Sequence, residues 1–265
     1  MASTILVTGA TSGLGRGVAA ELTGQGHTVL AHGRDRGKVD ELVGELGGDT
    51  RGYVADLSSL DEVRRLADEV TANEQRLDVL VNNAGLVSPE RQNSHDGIEL
   101  TFAVNYVAPW LLTGRLLGLL ERSAPARIVN VASIGQAAID WDDPQLERGF
   151  EPYRAYAQSK LAQISYTFDL AERLDGSGVT VTALHPATLM DTQMVRQSFG
   201  RSMSTVEDGI GPVVRLATGD DVEGVSGRYY DQTRESRADD QAYDPRARER
   251  LWTLSAELAG EDPYA

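Results

Sequence analysis

The chain has 265 residues, of which 41% are hydrophobic and 25% are charged, with a formal net charge of −15 at pH 7 and no cysteine. The acidic balance argues against nucleic acid or an anionic membrane as a partner, and the lack of cysteine excludes disulfides and cysteine-ligated metals. No apolar run approaches the roughly 18 residues of a membrane-spanning helix, and the N-terminus has no signal-peptide pattern. We therefore expect a cytoplasmic protein without membrane insertion.

Apolar runs and amphipathic stretches alternate along the whole chain. The predicted strands cover 3–8, 27–33, 51–54, 78–81, 126–132, 178–184 and 227–230. A first predicted helix runs from the glycines after the first strand to Gly24, and further helices cover 36–46, 59–72, 96–120, 152–174, 206–218 and 246–259. This alternation predicts an α/β fold with a single doubly wound (Rossmann-type) sheet of seven parallel strands and helices on both faces.

The alternation continues without a linker, so we expect one domain over residues 1–265. Residues 231–265 are predicted to form a C-terminal tail plus helix. The polar part of this segment, 231–250, is expected to lie on the surface and to dock only through its final helix.

A glycine-rich turn joins the first strand to the first helix. Gly9, Gly13 and Gly15 allow a tight turn and close approach of the backbone, and the helix start presents free N–H groups to an anion. A glycine turn also occurs without a ligand, but its position at the start of a βαβ unit favours a dinucleotide pyrophosphate site.

The end of the second strand bears on which dinucleotide is bound. NAD sites usually place an acid there for the ribose hydroxyls, whereas a 2′-phosphate needs an arginine. No acid ends this strand and Arg34 follows it, so NADP(H) is favoured, and Arg16 would add a second positive charge. In the alternative, NAD(H) is bound because Arg34 pairs with Asp35, which then takes the ribose.

Two later strand ends also carry candidate cofactor contacts. Asp56 either accepts from the adenine amine or caps the next helix together with Ser58. The small residues in the segment 83–85 (Asn-Ala-Gly) would let the chain pass close beneath an adenosine.

The predicted helix 152–174 carries Tyr156 and Lys160, which lie on one face because they are four residues apart. A neighbouring cation favours the phenolate, so we expect Lys160 to lower the pKa of Tyr156 and to make it an acid–base group. A tyrosine and a lysine at this spacing also occur by chance on helices without a catalytic role. However, the chain has 23 arginines and only two lysines, Lys38 and Lys160, and a titratable ammonium is not interchangeable with a guanidinium.

Four motifs in this order resemble the short-chain dehydrogenase/reductase family. They are Thr8-Gly9-x-x-x-Gly13-x-Gly15, Asn82-Asn83-Ala84-Gly85, Ser133 at the end of a strand, and Tyr156-x-x-x-Lys160. The resemblance covers residues 3 to about 230. The segment Asp96–Glu99 ahead of Asn105, and the long spacing between Ser133 and Tyr156, are most similar to the retinol-dehydrogenase-like branch.

This resemblance implies roles for four catalytic residues. Tyr156 would donate a proton to a carbonyl oxygen in reduction, or act as the base in alcohol oxidation. Lys160 would lower the pKa of Tyr156 and hold the nicotinamide ribose hydroxyls. Ser133 would hydrogen-bond the substrate oxygen, and Asn105 would join a proton relay through a water to Lys160.

The resemblance also implies a set of cofactor contacts. They are Gly9, Thr11, Ser12, Gly13, Leu14, Gly15, Arg34, Asp56, Leu57, Asn83, Ala84, Gly85, Lys160 and Pro186, with both Thr188 and Thr192 as candidates for the nicotinamide carboxamide. The family commonly has glycine after this proline, whereas Ala187 stands here, which puts the geometry of this loop in doubt.

Two segments, 134–153 and 189–205, are expected to form an apolar substrate pocket. The predicted lining residues are Trp141, Tyr153, Leu189, Met190 and Met194, and the same segments supply Phe150, Phe199 and Met203. These side chains would alternatively pack a subunit interface. The four histidines show no ligand spacing, so no metal site is predicted.

The function expected from these features is NADP(H)-dependent hydride transfer to or from a lipophilic ketone, aldehyde or alcohol. An NAD-dependent alcohol dehydrogenase with the same mechanism and a non-catalytic nucleotide-binding regulatory protein are the alternatives. The retained set of four catalytic residue types argues against the regulatory protein. A homodimer or homotetramer is compatible with the sequence, with 96–120 and 152–174 as contact faces.

Overall fold

The computed structural model describes residues 2–192, 194–196, 200 and 202–265, and an eight-stranded sheet forms its centre. The strands are β1 (Thr4–Val7), β2 (Thr28–Gly33), β3 (Thr50–Val54), β4 (Val79–Asn82), β5 (Ala126–Val131), β6 (Val179–His185), β7 (Arg228–Asp231) and β8 (Arg234–Glu235). They lie in the order β3-β2-β1-β4-β5-β6-β7-β8, and β8 alone pairs antiparallel, with β7. The predicted doubly wound fold is confirmed, with eight strands in place of seven because a tight turn returns the chain after β7.

Helices cover both faces of the sheet. They are α1 (Gly13–Gly24), α2 (Arg36–Leu46), α3 (Leu60–Asn73), α4, α5 (Pro152–Arg173), α6 (Glu207–Thr218) and α7 (Pro245–Ala259), where α4 combines Leu100–Phe102, a π-helical turn Ala103–Val107 and Ala108–Arg122. Within the described part of the chain, no helix combines the length and the hydropathy that crossing a membrane requires.

The helix predicted over 96–120 begins later than expected, at Leu100. Gly97 has a φ of +79°, which interrupts the helical backbone. The Glu99 carboxylate then caps the helix by accepting from the main-chain N–H groups of Thr101 and Phe102.

Successive side chains of the central strands point to opposite faces and enter two separate hydrophobic layers. Ile5 and Val7 pack in the layer that contains the buried residues of α1 and α6. Leu6, between them, packs in the layer of α3, α4, α5 and α7. Both faces of these strands are fully buried, which explains their unbroken apolar sequences.

Strand order reverses between β1 and β4, because β1 pairs with β2 on one side and with β4 on the other. In open α/β sheets, the crevice at the carboxyl ends of such strands is where ligands bind. The loops after β1, β2, β4, β5 and β6 all start at this edge, and they contain the residues predicted from the sequence motifs.

The C-terminal segment packs more closely than the sequence suggested. The expectation that 231–250 docks only through its final helix is wrong, because Ala238 and Ala242 are buried against α5 and the Gln241 side chain pairs with the main chain of Ile139. This segment and helix α7 both pack on α5, whose residues 157–168 are all buried. The polar residues of that helix face other elements, since Ser159 bonds Asn105 and Lys160 bonds Val131.

Residues after α7 fold back onto α4. The hydroxyl of Tyr264 donates to the main-chain carbonyl of Trp110 at 2.8 Å and lies 2.6 Å from the hydroxyl of Tyr166. Glu261 pairs with both Arg64 and Arg115. The last residues of the chain are therefore held by directed contacts.

We predict that Tyr264→Phe lowers the free energy of unfolding by about 1–2 kcal/mol, because it removes the hydrogen bonds of Tyr264 with the Trp110 carbonyl and the Tyr166 hydroxyl. Urea denaturation followed by circular dichroism measures this change. Tyr243→Phe is the matched control, since the Tyr243 ring is 40% exposed and its loss should be smaller. Equal stability of Tyr264→Phe and wild type would contradict the prediction.

Candidate active site

The turn between β1 and α1, called the glycine cradle below, contains Gly9, Gly13 and Gly15. Gly9 and Gly13 have φ angles of +67° and +51°, which favour glycine. A Cβ atom at Gly15 would overlap the Gly9 carbonyl oxygen and the side-chain amide of Asn83. Glycine at these positions therefore lets the turn pack directly against the end of β4 and the start of α1.

The start of α1 has the properties of an anion site. Its N-cap residue, Ser12, makes no side-chain capping bond, and the first turn contains no acidic residue. The positive end of the helix dipole and the uncapped N–H groups favour a phosphate there. The residues present thus fit a dinucleotide pyrophosphate, with Thr11, Leu14 and the three glycines around it.

Two side chains tie this turn to the end of β4. The Thr8 hydroxyl accepts from the main-chain N–H groups of Asn83 and Ala84 at 2.9 and 3.0 Å. The Asn83 side chain in turn donates to the Thr8 carbonyl at 2.8 Å. The predicted contacts in the 83–85 segment therefore lie beside the glycine turn.

His32 joins the same turn to two further strand ends, a role that the sequence analysis missed. Its Nδ1 accepts from the N–H of Gly9 at 3.2 Å, and its Nε2 lies 3.1 Å from the carbonyl of Ala55. Since Nδ1 accepts, the ring is neutral and Nε2 is the donor. Burial lowers the pKa of His32 to about 4. The sequence signal for this role was a histidine within the mostly apolar run 28–33.

The edge beyond β2 offers an exposed cation. The Arg34 side chain is exposed and makes no ion pair with any described residue. Asp35 instead caps α2, because its carboxylate accepts from the N–H of Lys38 at 3.0 Å. The pair between Arg34 and Asp35 that the NAD(H) alternative assumes does not form. Arg16, the second predicted cation, pairs with Glu45.

Asp56 lies after β3 and makes one of the two contacts considered for it. Its carboxylate accepts from the N–H of Ser58 at 2.9 Å, although the N-cap of α3 is Ser59. Leu57 is buried in the hydrophobic core. The contact with adenine stays a prediction.

Lys160 is buried beneath the carboxyl end of β5. Its Nζ atom donates to the carbonyl of Val131 at 2.8 Å and to Oε1 of Gln163 at 2.9 Å, and lies 5.6 Å from the centroid of the Tyr156 ring. Burial lowers the pKa of Lys160 to about 7. The ammonium therefore releases its proton far more readily than an exposed lysine does.

The pKa of Tyr156 is raised, chiefly by burial of its hydroxyl, so the expectation that Lys160 lowers it in this structure is wrong. The Ser133 hydroxyl hydrogen-bonds Tyr156 and acts in the opposite direction. Charge attraction was expected to dominate, but the ammonium faces Val131 and Gln163, and desolvation of the phenol is larger.

Ser133 is oriented by contacts from three residues, two in its own loop and one on β7. Its Oγ accepts from the N–H of Gly135 at 3.0 Å, and its carbonyl accepts from the Tyr229 hydroxyl and from the Gln136 side chain, each at 3.0 Å. Because Oγ already accepts one hydrogen bond, its own proton is directed elsewhere, toward Tyr156. The Tyr153 hydroxyl lies beside Gly135, at the mouth of this group.

Asn105 lies in the π-helical turn of α4, a distortion that is frequent at functional sites. Its side chain pairs with both main-chain groups of Leu86, accepting from N–H at 2.8 Å and donating to the carbonyl at 2.9 Å. It also donates to Ser159 at 3.0 Å, and Ser159 donates to the carbonyl of Tyr156. These bonds place Asn105 beside Gly85 and Lys160.

The loop after β6 lies on the other side of the glycine turn. The methyl group of Thr192 faces Gly13, and its hydroxyl accepts from the N–H of Val195 at 3.2 Å. The Thr188 hydroxyl lies 3.1 Å from Nε2 of His185. Thr192 is therefore in contact with the cradle, and Thr188 is held at the strand end. Pro186 is buried.

The predicted pocket residues are only partly brought together. Tyr153 is near Ser133, whereas Met190 packs toward α6 at Gly209, and Leu189 and Met194 are half-buried. Trp141 lies under the Arg250 guanidinium in a groove of about 650 Å³ against α7, away from the contacts that join Ser133 and Tyr156. Phe199 lies outside the described residues.

The chain is similar to known proteins in sequence and in fold. The sequence profile of the family described as short chain dehydrogenase matches residues 3–201. The chain is 37% identical to retinol dehydrogenase 13 of Mus musculus, covering 97% of this chain and 84% of that protein. It is 36% identical to retinol dehydrogenase 14 of Homo sapiens, covering 97% and 86%.

Solved structures show the same similarity. An uncharacterised protein of Mycobacterium paratuberculosis superposes with a TM-score of 0.82 at 28% identity, covering 98% of this chain and 94% of that one. An NAD(P)-dependent gluconate 5-dehydrogenase, described as putative, from Beutenbergia cavernae with bound NADP superposes with a TM-score of 0.69 at 30% identity, covering 86% and 94%.

We predict that His32 makes stability depend on acid pH. A histidine whose pKa falls from 6.5 to about 4 on folding leaves stability intact above pH 6.5. Stability is then lost as the pH falls toward 4, by about 3 kcal/mol at most. Comparing urea denaturation of wild type and His32→Asn between pH 4 and 7 should show a smaller slope in the variant.

His95→Asn is the matched control, since His95 is exposed, and it should keep the wild-type slope. An unchanged slope in His32→Asn would mean that His32 is not buried in its neutral form.

Proposed function

Because the chain belongs to the short-chain dehydrogenase family, in its retinol-dehydrogenase-like branch, we propose that it is an NADP(H)-dependent oxidoreductase of lipophilic carbonyl compounds and alcohols. Membership in the family already makes it an NAD(P)-dependent dehydrogenase or reductase of the alcohol–carbonyl type. The preference for NADP(H), the lipophilic substrate and the role of each residue are the proposal.

The observation that carries the proposal is the contact between Ser133 and Tyr156 beside the buried Lys160. In the reductive direction, the Tyr156 hydroxyl gives its proton to the substrate oxygen as the carbonyl carbon receives a hydride. The Ser133 hydroxyl donates to the same oxygen and stabilises the charge that develops on it. The nicotinamide, when bound, supplies or accepts the hydride.

The role proposed for Lys160 follows from its position below Tyr156. After proton transfer the phenol is a phenolate, and an ammonium nearby favours that form. Asn105 holds the Leu86 segment and Ser159 in place, so that this part of the site is rigid. The residues that would hold the dinucleotide are those of the glycine cradle, the 83–85 segment and Thr192.

Two observations support NADP(H). Arg34 is exposed and makes no ion pair with the described residues, and Asp35 is occupied as the cap of α2. The similar structure from Beutenbergia cavernae contains NADP. An unpaired guanidinium at this edge would bind a 2′-phosphate through charge-assisted hydrogen bonds.

The apolar surface near the site supports a lipophilic substrate. Ile134 and Tyr153, which adjoin Ser133 and Gly135, are 56% and 48% exposed, and Met203 is 66% exposed. Exposed large apolar side chains around a polar centre are typical of a binding entrance. We further propose that residues 1–265 act as one catalytic domain with 134–153 and 189–205 as its substrate segments.

We predict that Tyr156→Phe abolishes turnover, with a loss of about 10²–10⁴-fold or more, because no other group replaces the proton donor. NADPH affinity should change by less than about twofold, since the hydroxyl contributes little to binding the dinucleotide compared with the pyrophosphate contacts. NADPH consumption over a panel of ketones and aldehydes measures the first quantity, and fluorescence titration with NADPH measures the second. Turnover equal to wild type would overturn the mechanism.

We predict that Arg34→Ser lowers the preference for NADPH over NADH by about tenfold, the 1.4 kcal/mol that one phosphate–arginine contact can supply. Dissociation constants for both dinucleotides measure this preference. Arg36→Ser is the matched control, because Arg36 is an exposed arginine two residues on that pairs with Asp40, and it should leave the ratio unchanged. A wild type that binds NADH as tightly as NADPH would support the NAD-dependent alternative.

A further inference from the structure

Gln163 lies three residues beyond Lys160 on α5 and contacts it directly. The Gln163 side chain is 1% exposed, and its Oε1 accepts from Lys160 Nζ at 2.9 Å. The second acceptor of the ammonium is the carbonyl of Val131 at 2.8 Å. Both acceptors are uncharged, and together they fix the position of Nζ below the Tyr156 ring.

Burial of the Gln163 side-chain amide would be unfavourable if this residue served only to pack the core. Its amide nitrogen is buried and has no hydrogen-bond partner among the described residues. A buried donor without a partner costs about 1–3 kcal/mol, whereas a methionine of similar shape would have no such donor. What the glutamine gains in exchange is its contact with Lys160.

The surroundings of Lys160 contain no carboxylate contact within the described residues. On α5, the titratable group facing it is Tyr156, and from β5 and α4 it meets the Val131 carbonyl and the neutral Asn105. The charge of Tyr153 raises the pKa of Tyr156, that of Tyr156 raises the pKa of Tyr229, and that of Asp231 raises the pKa of Tyr229 and opposes the burial that lowers the pKa of His185. The charge of the ammonium is therefore not fixed by a counter-ion.

We propose that Gln163 is a positioning residue that holds Lys160 against Val131 with an uncharged acceptor, so that the lysine keeps its place without a counter-ion that would fix its charge. The effect of this positioning on turnover rests on the function proposed above for Lys160. The burial that lowers the pKa of Lys160 to about 7 agrees with the geometry. A carboxylate at this position would hold the same place but would fix the positive charge.

The chain contains only two lysines, Lys38 and Lys160, so the titration of Lys160 can be observed directly. A sample of the full chain with ¹³Cε/¹⁵Nζ-labelled lysine gives two side-chain signals, and Lys38→Arg assigns them. In Gln163→Glu we expect the pKa of Lys160 to rise by about 1–3 units, because an opposite charge then lies beside it. In Gln163→Met we expect it to fall by about one unit, because a hydrogen bond to the charged form is lost.

Gln158→Met is the matched control. Gln158 is also 1% exposed on α5, but its side chain binds the main chain of Asp140 and Pro144. This variant loses a buried glutamine without touching Lys160, so the Lys160 signal should titrate as in wild type. Shifts smaller than about 0.3 unit in both Gln163 variants, or equal shifts in Gln158→Met, would overturn the proposal.

Kinetics separate this proposal from the proposed function. The pH profile of kcat should move in the same direction as the Lys160 signal in each Gln163 variant, with kcat reduced about tenfold or more in Gln163→Met and a smaller change in KM. If the pKa of the Lys160 signal shifts while the pH profile of kcat is unchanged, Gln163 positions Lys160 but Lys160 does not set the rate. If Tyr156→Phe also turns over normally, the proposed mechanism fails and the titration result still stands.

Discussion

The ammonium group of Lys160 is buried between the main-chain carbonyl of Val131 and the side-chain amide of Gln163. Removing a cation from water is costly, and two neutral acceptors return only part of the lost hydration. No carboxylate contacts the ammonium within the described residues, and burial therefore lowers the pKa of the lysine. The role proposed for Lys160 depends on this balance, since it sets the charge beside the Tyr156 ring.

The rest of the site is held in place by hydrogen bonds between strand ends. Thr8 and Asn83 join β1 to β4, and His32 joins β2 to both β1 and the end of β3. These bonds cross between segments that are far apart in sequence but adjacent in the sheet. They make the glycine turn rigid. A rigid edge keeps reacting groups within the narrow range of positions that proton and hydride transfer require.

The fold and the core of the site were predictable because their signals are local. Unbroken apolar runs give buried parallel strands, the glycine spacing gives the turn, and a spacing of four residues places Tyr156 and Lys160 on one helix face. What the sequence could not give depends on distant partners. Nothing near His32 or Gln163 in the chain indicates what they bind, and the raised pKa of Tyr156 reflects a burial that the helical spacing alone does not show.

The C-terminal segment shows why burial was the hardest quantity to predict. Residues 231–250 are polar, and on composition they belong at the surface. Yet Gln241 pairs with the main chain of Ile139, the Gln136 side chain accepts from Asp239 and donates to the carbonyl of Ser133, and Tyr229 donates to that same carbonyl. Polar side chains in this region do not indicate solvent exposure, because they form hydrogen bonds with the main chain of a loop that has no strand partner. The loop that carries Ser133 is thus positioned from the C-terminal end of the chain, and the same segment closes water off from α5. Two of its residues, Ala238 and Ala242, pack with Leu161, Ile164 and Phe168 of α5, so a segment that is polar overall also covers an apolar part of that helix.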